Sequence, residues 1–463
     1  MSILELIEQR RKENFALHEQ YLNPQMVRVL KTIGYDHQYV KAEGPYLFDE
    51  RGEIYLDLLS GFGVFALGRN HPKIVQALQE VLTAELPNLV QLDASLLAGV
   101  LAERLIAIAP PGMERVFFAN SGTETVEAAI KFSRYATGRS KLVYCKGCYH
   151  GLTLGSLSAT GEAHYREGFG PLLPDFIEIP FGDLAALEQA LSGKDVAAFI
   201  IEPIQGHGVN IPDDEYLPAA AELCRKYKTL LIADEVQTGL GRTGKYWAVE
   251  HWGVEPDILC VAKALSGGFV PVGAVLCRGW IFDKVFNRMD RAVVHGNTFG
   301  KNNLAMAAGI ATLEVIEEEK LVERSALMGR QLLAELKPLV EQYECLKEVR
   351  GLGMMMGLEF FEPKSWSLKA AWQMLETANK GLFSQLIVVP LFTRHHILSQ
   401  VAGHGMNVVK FIPPLTLADQ DCSWIVEAVN DVVADAHRIP GGAWEFGKTL
   451  ATQALRMKST RNI

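Results

Sequence analysis

This 463-residue sequence lacks the features that mark several large classes of protein. No apolar run approaches the roughly 20 residues that a transmembrane helix needs. There is no cluster of Lys and Arg, and with 45 basic against 54 acidic residues the formal net charge is −9, which disfavours nucleic acid as a partner. We also find no internal repeat, linker or low-complexity tract. These absences predict a folded protein without a membrane or nucleic-acid function.

Cysteine is sparse, and a pattern typical of secretion is absent. Residues 1–12 follow a charged, amphipathic helical pattern without the apolar segment of a signal peptide. The seven cysteines, an odd number, are spread along the chain, which indicates free thiols in a reducing compartment. Cys145 and Cys148 have no second pair at zinc-site spacing, so we interpret them as incidental and expect no metal. The expected location is cytoplasmic.

The hydrophobic pattern predicts an α/β protein with two parts. From residue 71 to residue 313, helical and strand patterns alternate, as in a mainly parallel sheet with helices on both faces. A helix is expected to start at His71-Pro72, with proline in its first position. The C-terminal part predicts helices over 332–343 and 422–436 and strands over 354–361 and 407–411. We therefore expect an N-terminal segment (1–70) joining a small C-terminal domain (331–463), and a large domain over 71–330.

Lys263 is an unusual lysine because it follows a buried-strand pattern. The apolar run at 257–262 predicts the strand, and Gly267-Gly268 predicts a flexible turn shortly after it. Burying an unpaired ammonium is unfavourable, so Lys263 either reaches the surface from a strand end or has a lowered pKa. A buried amine of the second kind is the nucleophile that a Schiff-base enzyme needs.

Asp234 ends a second buried-strand pattern, at 229–233. An acid at the carboxyl end of a parallel strand faces the crevice where α/β proteins bind ligands. Pyridoxal phosphate needs a lysine for its aldehyde carbon and a carboxylate that keeps its ring nitrogen protonated. Asp234 alone would be interpreted as a helix cap or a salt-bridge partner. Together with Lys263 it predicts a pyridoxal-phosphate site.

A phosphate-binding segment is predicted at Ser121, Gly122 and Thr123. A strand pattern at 115–119 precedes it, and a helical pattern at 126–136 follows it. Ser121 and the Glu three residues later predict a capping box at the start of the helix. Free backbone N–H groups and the positive end of the helix dipole suit a phosphate dianion. Taken alone, the segment would indicate only a well-capped helix.

Tyr149 and His150 lie on a predicted loop between a strand pattern at 141–144 and a stretch of small residues at 153–161. An aromatic ring on such a loop can stack on a pyridine ring, which contributes about 1 kcal/mol. A lone Tyr-His pair is more typical of core packing or of the surface. The other predicted parts of the site make stacking on the cofactor the preferred interpretation.

With these residues in view, the chain closely resembles the class III aminotransferases, a group of pyridoxal-phosphate enzymes that includes ornithine, acetylornithine, 4-aminobutyrate and putrescine aminotransferases. The putrescine type is nearest in appearance, and the resemblance extends from about residue 46 to about residue 435. It is carried by residues 58–68, 120–129, 149–151, 202–206, 234–244, 257–268, 297–300 and 351–354. It implies fold type I, with a mainly parallel seven-stranded sheet in the large domain and a smaller α+β domain from both chain ends.

The resemblance also implies a role for each site residue. Lys263 would form the internal aldimine and move the proton, and Asp234 would pair with the ring nitrogen. Thr298 would reach the phosphate from the neighbouring subunit, which makes the expected homodimer necessary for cofactor binding. The remaining cofactor-binding residues expected from the resemblance are Ser121, Gly122 and Thr123 at the phosphate, Tyr149 and Val236 at the ring, Gln237 near the ring hydroxyl, and His150 and Glu202, which complete the pocket.

Two other functions remain open at this point. Residues 239–244 match the dinucleotide fingerprint G-x-G-x-x-G, which would indicate a nicotinamide-dependent dehydrogenase. The fingerprint should follow its strand directly and open a helix, whereas here five residues intervene and a poor helix start follows. Within pyridoxal chemistry, racemases, decarboxylases and lyases share the cofactor residues, so the motifs do not separate them from a transaminase.

The substrate-binding residues depart from the family pattern. Many relatives have a glutamate where this chain has His207, and an arginine where it has Lys410. A lysine cannot offer the planar, bidentate fork of an arginine, and histidine is a weaker and pH-dependent partner. We expect a primary amine, diamine or ω-amino compound as donor, near Phe62, and a small keto acid as acceptor. The alternative is that Lys410 replaces the arginine as a point charge.

Overall fold

The computed structural model describes residues 1–438 together with residues 441, 444, 447 and 448. Its strands form three sheets. In chain order the strands are β1 (Tyr39–Glu43), β2 (Tyr46–Asp49), β3 (Ile54–Asp57), β4 (Arg115–Ala119), β5 (Lys141–Cys145), β6 (Phe176–Ile179), β7 (Val196–Ile201), β8 (Leu230–Asp234), β9 (Ile258–Val261), β10 (Gly273–Cys277), β11 (Leu346–Leu352), β12 (Met355–Phe360), β13 (Ile397–Leu398), β14 (Gln400–Val401) and β15 (Val408–Phe411).

The helices alternate with the strands of the large sheet and cluster again near the C-terminus. They are α1 (Ile3–Arg10), α2 (Asn14–Tyr21), α3 (Pro24–Thr32), α4 (Ser60–Gly63), α5 (Pro72–Thr83), α6 (Leu96–Ala107), α7 (Gly122–Thr137), α8 (Leu154–Ser158), α9 (Ala163–Arg166), α10 (Leu184–Leu191), α11 (Tyr216–Tyr227), α12 (Gly279–Val285), α13 (Asn303–Glu318), α14 (Leu321–Leu336), α15 (Leu339–Gln342), α16 (Trp366–Ala378), α17 (Gln385–Thr393) and α18 (Asp419–Ala436). Short 3-10 helices cover Arg11–Glu13, Ala248–Trp252, Lys263–Ser266 and Met289–Arg291.

The large sheet has seven strands in the order β4-β10-β9-β8-β7-β5-β6. Its pairings are parallel except those of β10, which runs antiparallel to both β4 and β9. Every residue of β7, β8, β9 and β10 is buried, as expected for strands covered on both faces. The predicted α/β fold with a mainly parallel, seven-stranded sheet is therefore confirmed.

Two smaller, four-stranded sheets complete the fold. In the first, the N-terminal strands β1, β2 and β3 are joined by β13, with Ile397 opposite Leu56 in parallel register. The second, in the order β11-β12-β15-β14, is antiparallel. Residues from both ends of the chain thus share one sheet, as the resemblance implied. The boundaries at residues 70 and 330 stay a prediction.

Two local predictions were wrong. The helix expected over 332–343 is divided into α14 and α15, because Pro338 lacks the N–H that a continuous helix would need. The capping box at α7 is only half formed. The Ser121 side chain accepts from the backbone N–H of Glu124, but the Glu124 carboxylate accepts from the backbone and side chain of Asn120. The structure agrees with the predicted start of a helix at Pro72 and with the predicted strand at Arg115–Ala119.

All seven cysteines are buried and free. Within the described residues, no group of three or more His, Cys, Asp and Glu side chains could hold a metal ion. None of the helices in that part of the chain has both the length and the apolar character to cross a membrane.

Candidate active site

The predicted site residues meet at one edge of the large sheet. Strands β5, β7, β8 and β9 run in the same direction, so their carboxyl ends lie side by side. Asp234 is the last residue of β8, Glu202 directly follows β7, and Lys263 comes two residues after β9. Tyr149 and His150 lie in the loop after β5. The parallel sheet thus brings together groups that are far apart in the sequence.

Lys263 occupies a strained and water-poor position. It begins a short 3-10 helix with φ of +42°, in the left-handed region that residues other than glycine rarely adopt. Burial lowers the pKa of its amine, although the carboxylates of Asp234 and Glu202 oppose this effect. A lowered pKa increases the neutral, nucleophilic fraction of the amine. Lys263 is only partly exposed, so it is not an ordinary surface lysine.

Asp234 is buried and held in a defined orientation. His150 Nδ1 donates to Asp234 Oδ2 over 2.7 Å, and the backbone N–H of Val236 donates to Oδ1 over 3.1 Å. Burial by itself lowers the pKa of His150, but its neighbours Cys148 and Asp234 raise it above the ordinary value of histidine. These two bonds orient the Asp234 carboxylate, which can accept a further N–H bond from a ring nitrogen.

Glu202 links two loops around this centre. Its Oε1 accepts from the backbone N–H of Tyr149 over 2.9 Å, and its Oε2 accepts from that of Gly206 over 2.8 Å. Burial raises the pKa of Glu202, and the nearby Asp234 charge adds to this effect. Both oxygens are thus committed to backbone groups, so the side chain orders the loops.

The N-terminus of α7 faces this centre with a close backbone approach. A Cβ atom on Gly122 would lie 2.8 Å from Val236 Cγ1. A side chain at this position would therefore displace Val236, which lies two residues after Asp234. The hydroxyl of Thr123 forms hydrogen bonds with those of Thr153 (2.8 Å) and Ser156 (2.6 Å). The helix start therefore offers backbone N–H groups at a site where only glycine fits, which suits an anion.

Lys410 and Gln237 connect the small antiparallel sheet to this edge. Lys410 is buried on β15, and its Nζ donates to the Gly206 carbonyl over 2.8 Å and to Gln237 Oε1 over 3.1 Å. Burial lowers its pKa to about 7, and the charge of Lys263 contributes. Gln237 Nε2 donates in turn to the carbonyl of Phe62 over 2.9 Å. No carboxylate of the described residues forms an ion pair with Lys410.

His207 lies among aromatic rings rather than beside a carboxylate. Its ring centroid is 5.4 Å from that of Tyr149 and 5.8 Å from that of Tyr165, with the latter pair nearly parallel at 19°. Burial lowers the pKa of His207 to about 4, and the charges of Lys410 and Lys263 act in the same direction. Tyr165 was not predicted as a site residue, because only the tertiary fold brings α9 beside the 202–207 loop.

Phe62 and Thr298 are more exposed than the other predicted site residues. The side chain of Phe62 is 59% exposed, and only its carbonyl takes part in the contacts above. Thr298 is exposed, and its carbonyl accepts from Gln91 Nε2 over 3.3 Å. It lines a separate cavity of about 730 Å³, to which none of the other predicted cofactor residues contributes. Within one chain, Thr298 is therefore not brought to the site.

The dinucleotide-binding alternative does not fit the structure. Residues 239–244 form a series of turns, and the 3-10 helix Ala248–Trp252 follows only after them. Arg242 within these turns is fully buried, and its guanidinium donates to the carbonyls of Met354 and Pro413. The segment thus connects the Asp234 loop to the C-terminal part of the chain and opens no helix at a phosphate site.

The donor set at the sheet edge fits pyridoxal phosphate. The cofactor's aldehyde needs an amine with a lowered pKa, which Lys263 offers. Its ring nitrogen needs a carboxylate, and Asp234 is buried and bonded to His150. Its phosphate needs free backbone N–H groups, which the start of α7 offers where Gly122 leaves no room for a Cβ atom.

Comparison with known proteins agrees with this geometry. Residues 32–433 match the family described as aminotransferase class-III. The chain is 38% identical over 454 residues to the aminotransferase PigE of Serratia sp., covering 91% of this chain but only 53%, about half, of that relative. It is 37% identical over 438 residues to a putrescine aminotransferase of Pectobacterium atrosepticum, covering 91% of this chain and 88% of that protein.

A solved structure shows the same architecture. The ornithine aminotransferase of Toxoplasma gondii, which was crystallised with partial occupancy of pyridoxal phosphate at its active site, has a TM-score of 0.80 and 30% identity, covering 94% of this chain and 98% of that chain. Both the sequence match and the fold extend over nearly the whole chain. The chain therefore belongs to the class-III aminotransferases and is a pyridoxal-phosphate-dependent transaminase.

Proposed function

We propose that Lys263 holds the cofactor covalently and moves the proton during amino transfer. The observation that carries this proposal is the desolvated Lys263 amine beside the buried Asp234–His150 pair. When bound, pyridoxal phosphate supplies an electron sink for the negative charge that develops next to the reacting nitrogen. Asp234, oriented by its bond from His150, would pair with the ring nitrogen and keep it protonated. Lys263 would act as the base, since its lowered pKa increases the neutral fraction that can accept a proton.

The surrounding residues orient the cofactor. Ser121, Gly122 and Thr123 would hold its phosphate at the start of α7, and Tyr149 and Val236 would pack on its ring. Gln237 would lie near the ring hydroxyl, and Glu202 orders the loops that carry Tyr149 and Gly206. The support for these roles is the convergence of their backbone segments on one sheet edge, together with the close approach of Gly122 to Val236.

The donor in this proposal is a primary amine, diamine or ω-amino compound, and the acceptor is a small keto acid. The support is the pair Lys410 and His207. Lys410 provides a single buried cation for one carboxylate, and His207 is neutral because its pKa is about 4. A lysine binds a carboxylate as a point charge, without the bidentate geometry of arginine. Glutamate and 2-oxoglutarate, which carry two carboxylates, are therefore not the preferred pair.

The functional unit in this proposal is a homodimer whose cofactor site includes Thr298 of the neighbouring copy. Thr298 is exposed and lies apart from the other site residues of its own chain. The segments beside it expose an unusual number of large apolar side chains, which is typical of a surface that is covered in an assembly. They are Leu86, Val90, Leu92, Leu96, Met289, Val293 and Phe299.

Single-turnover measurements test the proposed donor. The holoenzyme is mixed with putrescine, a longer monoamine, alanine or glutamate, and loss of the visible absorbance of bound pyridoxal phosphate is followed in time. We expect the amines to react fastest. If glutamate converts the cofactor fastest by a wide margin, Lys410 binds the substrate carboxylate as the arginine of the relatives would, and the proposed donor class is wrong.

A further inference from the structure

Tyr149, Tyr165 and His207 form a wall of three rings beside the lysines of the site, and we call it the ring wall. The centroid of Tyr149 lies 5.4 Å from that of Tyr165 and 5.4 Å from that of His207, and Tyr165 stacks on His207 at 5.8 Å. The three residues are partly exposed, so a small molecule can reach them. They come from three separate segments: the loop after β5, helix α9 and the loop after β7.

The ring wall is uncharged at neutral pH. The pKa of His207 is lowered to about 4 by burial and by the two lysines, so its ring is neutral. Burial raises the pKa values of Tyr149 and Tyr165, which therefore keep their hydroxyl protons. The wall offers flat, neutral surfaces on which an apolar or aromatic group can pack.

The charges near the wall are positive. Both Lys410 and Lys263 lower the pKa of His207, and no carboxylate of the described residues opposes them there. The two buried carboxylates of the site are committed elsewhere: Glu202 accepts from two backbone N–H groups, and Asp234 accepts from His150 and Val236. Glu162 acts on the hydroxyl of Tyr165 and not on His207. An ammonium group beside His207 would therefore lose its hydration without gaining a carboxylate to pair with.

We infer that Tyr165 and His207, the pair of the ring wall beyond Tyr149, bind the part of the amine substrate farthest from the reacting nitrogen, and that they select an uncharged apolar or aromatic group over an ammonium. This inference rests on the proposed function and narrows it, because it places monoamines above diamines. Transfer of an apolar group from water to the ring faces is favourable in free energy. A cation is also attracted to those faces, but the like charge on Lys410 opposes its binding.

Two amines of equal chain length isolate the distal charge. In the holoenzyme at about pH 6, where Lys410 is mostly charged, we expect 1-aminopentane to convert the cofactor with a kcat/KM at least about tenfold higher than 1,5-diaminopentane. In His207→Glu, the new carboxylate offsets the like charge of Lys410 that opposes the distal ammonium, and the preference should move toward the diamine by at least about tenfold. His207→Gln is the matched control: it alters the side chain without adding charge, so it should keep the wild-type preference.

A second pair of variants tests the packing independently of charge. Tyr165→Ala removes a ring of the wall and should weaken the apparent Kd of 1-aminopentane several-fold, at an unchanged visible spectrum of the bound cofactor. Tyr165→Phe keeps the ring and should keep the Kd. This pair remains informative if His207→Glu fails to fold.

The possible failures are distinguishable. If neither amine changes the cofactor spectrum, the proposed function is wrong and the inference falls with it. If both amines react but the diamine reacts equally fast or faster in the wild type, only the selection against an ammonium is overturned. The same holds if His207→Gln shifts the preference as far as His207→Glu.

Discussion

Replacing Lys410 should change how keto-acid binding depends on pH. Lys410 is buried, donates to the Gly206 carbonyl and to Gln237, and has a pKa of about 7 because burial disfavours its charge. It is therefore mostly charged below pH 7 and mostly neutral above it. If its ammonium binds the carboxylate of the acceptor, the affinity for a keto acid should fall as pH rises above about 7. Lys410→Arg, charged throughout this range, should remove the dependence.

The structure sets the size of the effect. Lowering the pKa from 10.5 to about 7 corresponds to about 5 kcal/mol against the charged form, at about 1.4 kcal/mol per pH unit. Affinity that requires the charged form falls about tenfold per pH unit above the pKa, so the apparent Kd should rise by about 50-fold between pH 7 and pH 9. A hydrogen bond to a charged group contributes about 1.5–3 kcal/mol, which limits the total loss to about 10- to 150-fold.

The assay is the reaction of pyruvate with enzyme loaded with pyridoxamine phosphate, followed by absorbance across pH 6–9. Lys410→Met should bind pyruvate weakly at every pH, and Lys410→Arg should give a nearly flat profile. Lys263 also titrates, but it is present in all three proteins, so the difference between profiles reports Lys410. The reasoning is refuted if Lys410→Met keeps the wild-type profile, or if the wild-type profile is flat.

Three further predictions concern the cofactor. Lys263→Ala should lose both turnover and the visible absorbance of covalently held cofactor, since the other buried amine of the site, that of Lys410, is bound to the Gly206 carbonyl and to Gln237; steady-state transamination by this variant would contradict the assignment. Asp234→Ala should keep that absorbance but lose catalysis, because an unprotonated ring nitrogen is a poor electron sink; a rate near wild type would show that the ring lies elsewhere. Sedimentation should find a dimer, and Thr298→Ala should weaken cofactor retention; a stable monomer with full occupancy would rule out the shared site.

Motifs at strand ends were the part of the site that could be predicted from the sequence. Lys263 and Asp234 each follow a short apolar run, and such runs predict buried strands because a parallel strand that is covered on both faces is mostly apolar. The start of α7 was predictable from its small residues, although Glu124 caps Asn120 and not Ser121. These candidate residues could be predicted because they lie at the ends of strands and at the start of a helix, which the hydrophobic pattern of the sequence indicates.

Only the tertiary structure decided which side chains meet. The sequence by itself determined the parallel sheet and the family, and it singled out Lys263 as the candidate lysine, since these depend on local hydrophobic patterns and short motifs. The contact of Lys410 with Gly206 spans 204 residues, and the stack of Tyr165 on His207 joins helix α9 to the loop after β7, with no local signal in the sequence for their contact. The lowered pKa values of Lys410 and His207 likewise arise from burial and from like charges brought together by folding. Substrate choice depends on these long-range contacts, because side chains from separate segments must converge to form one pocket.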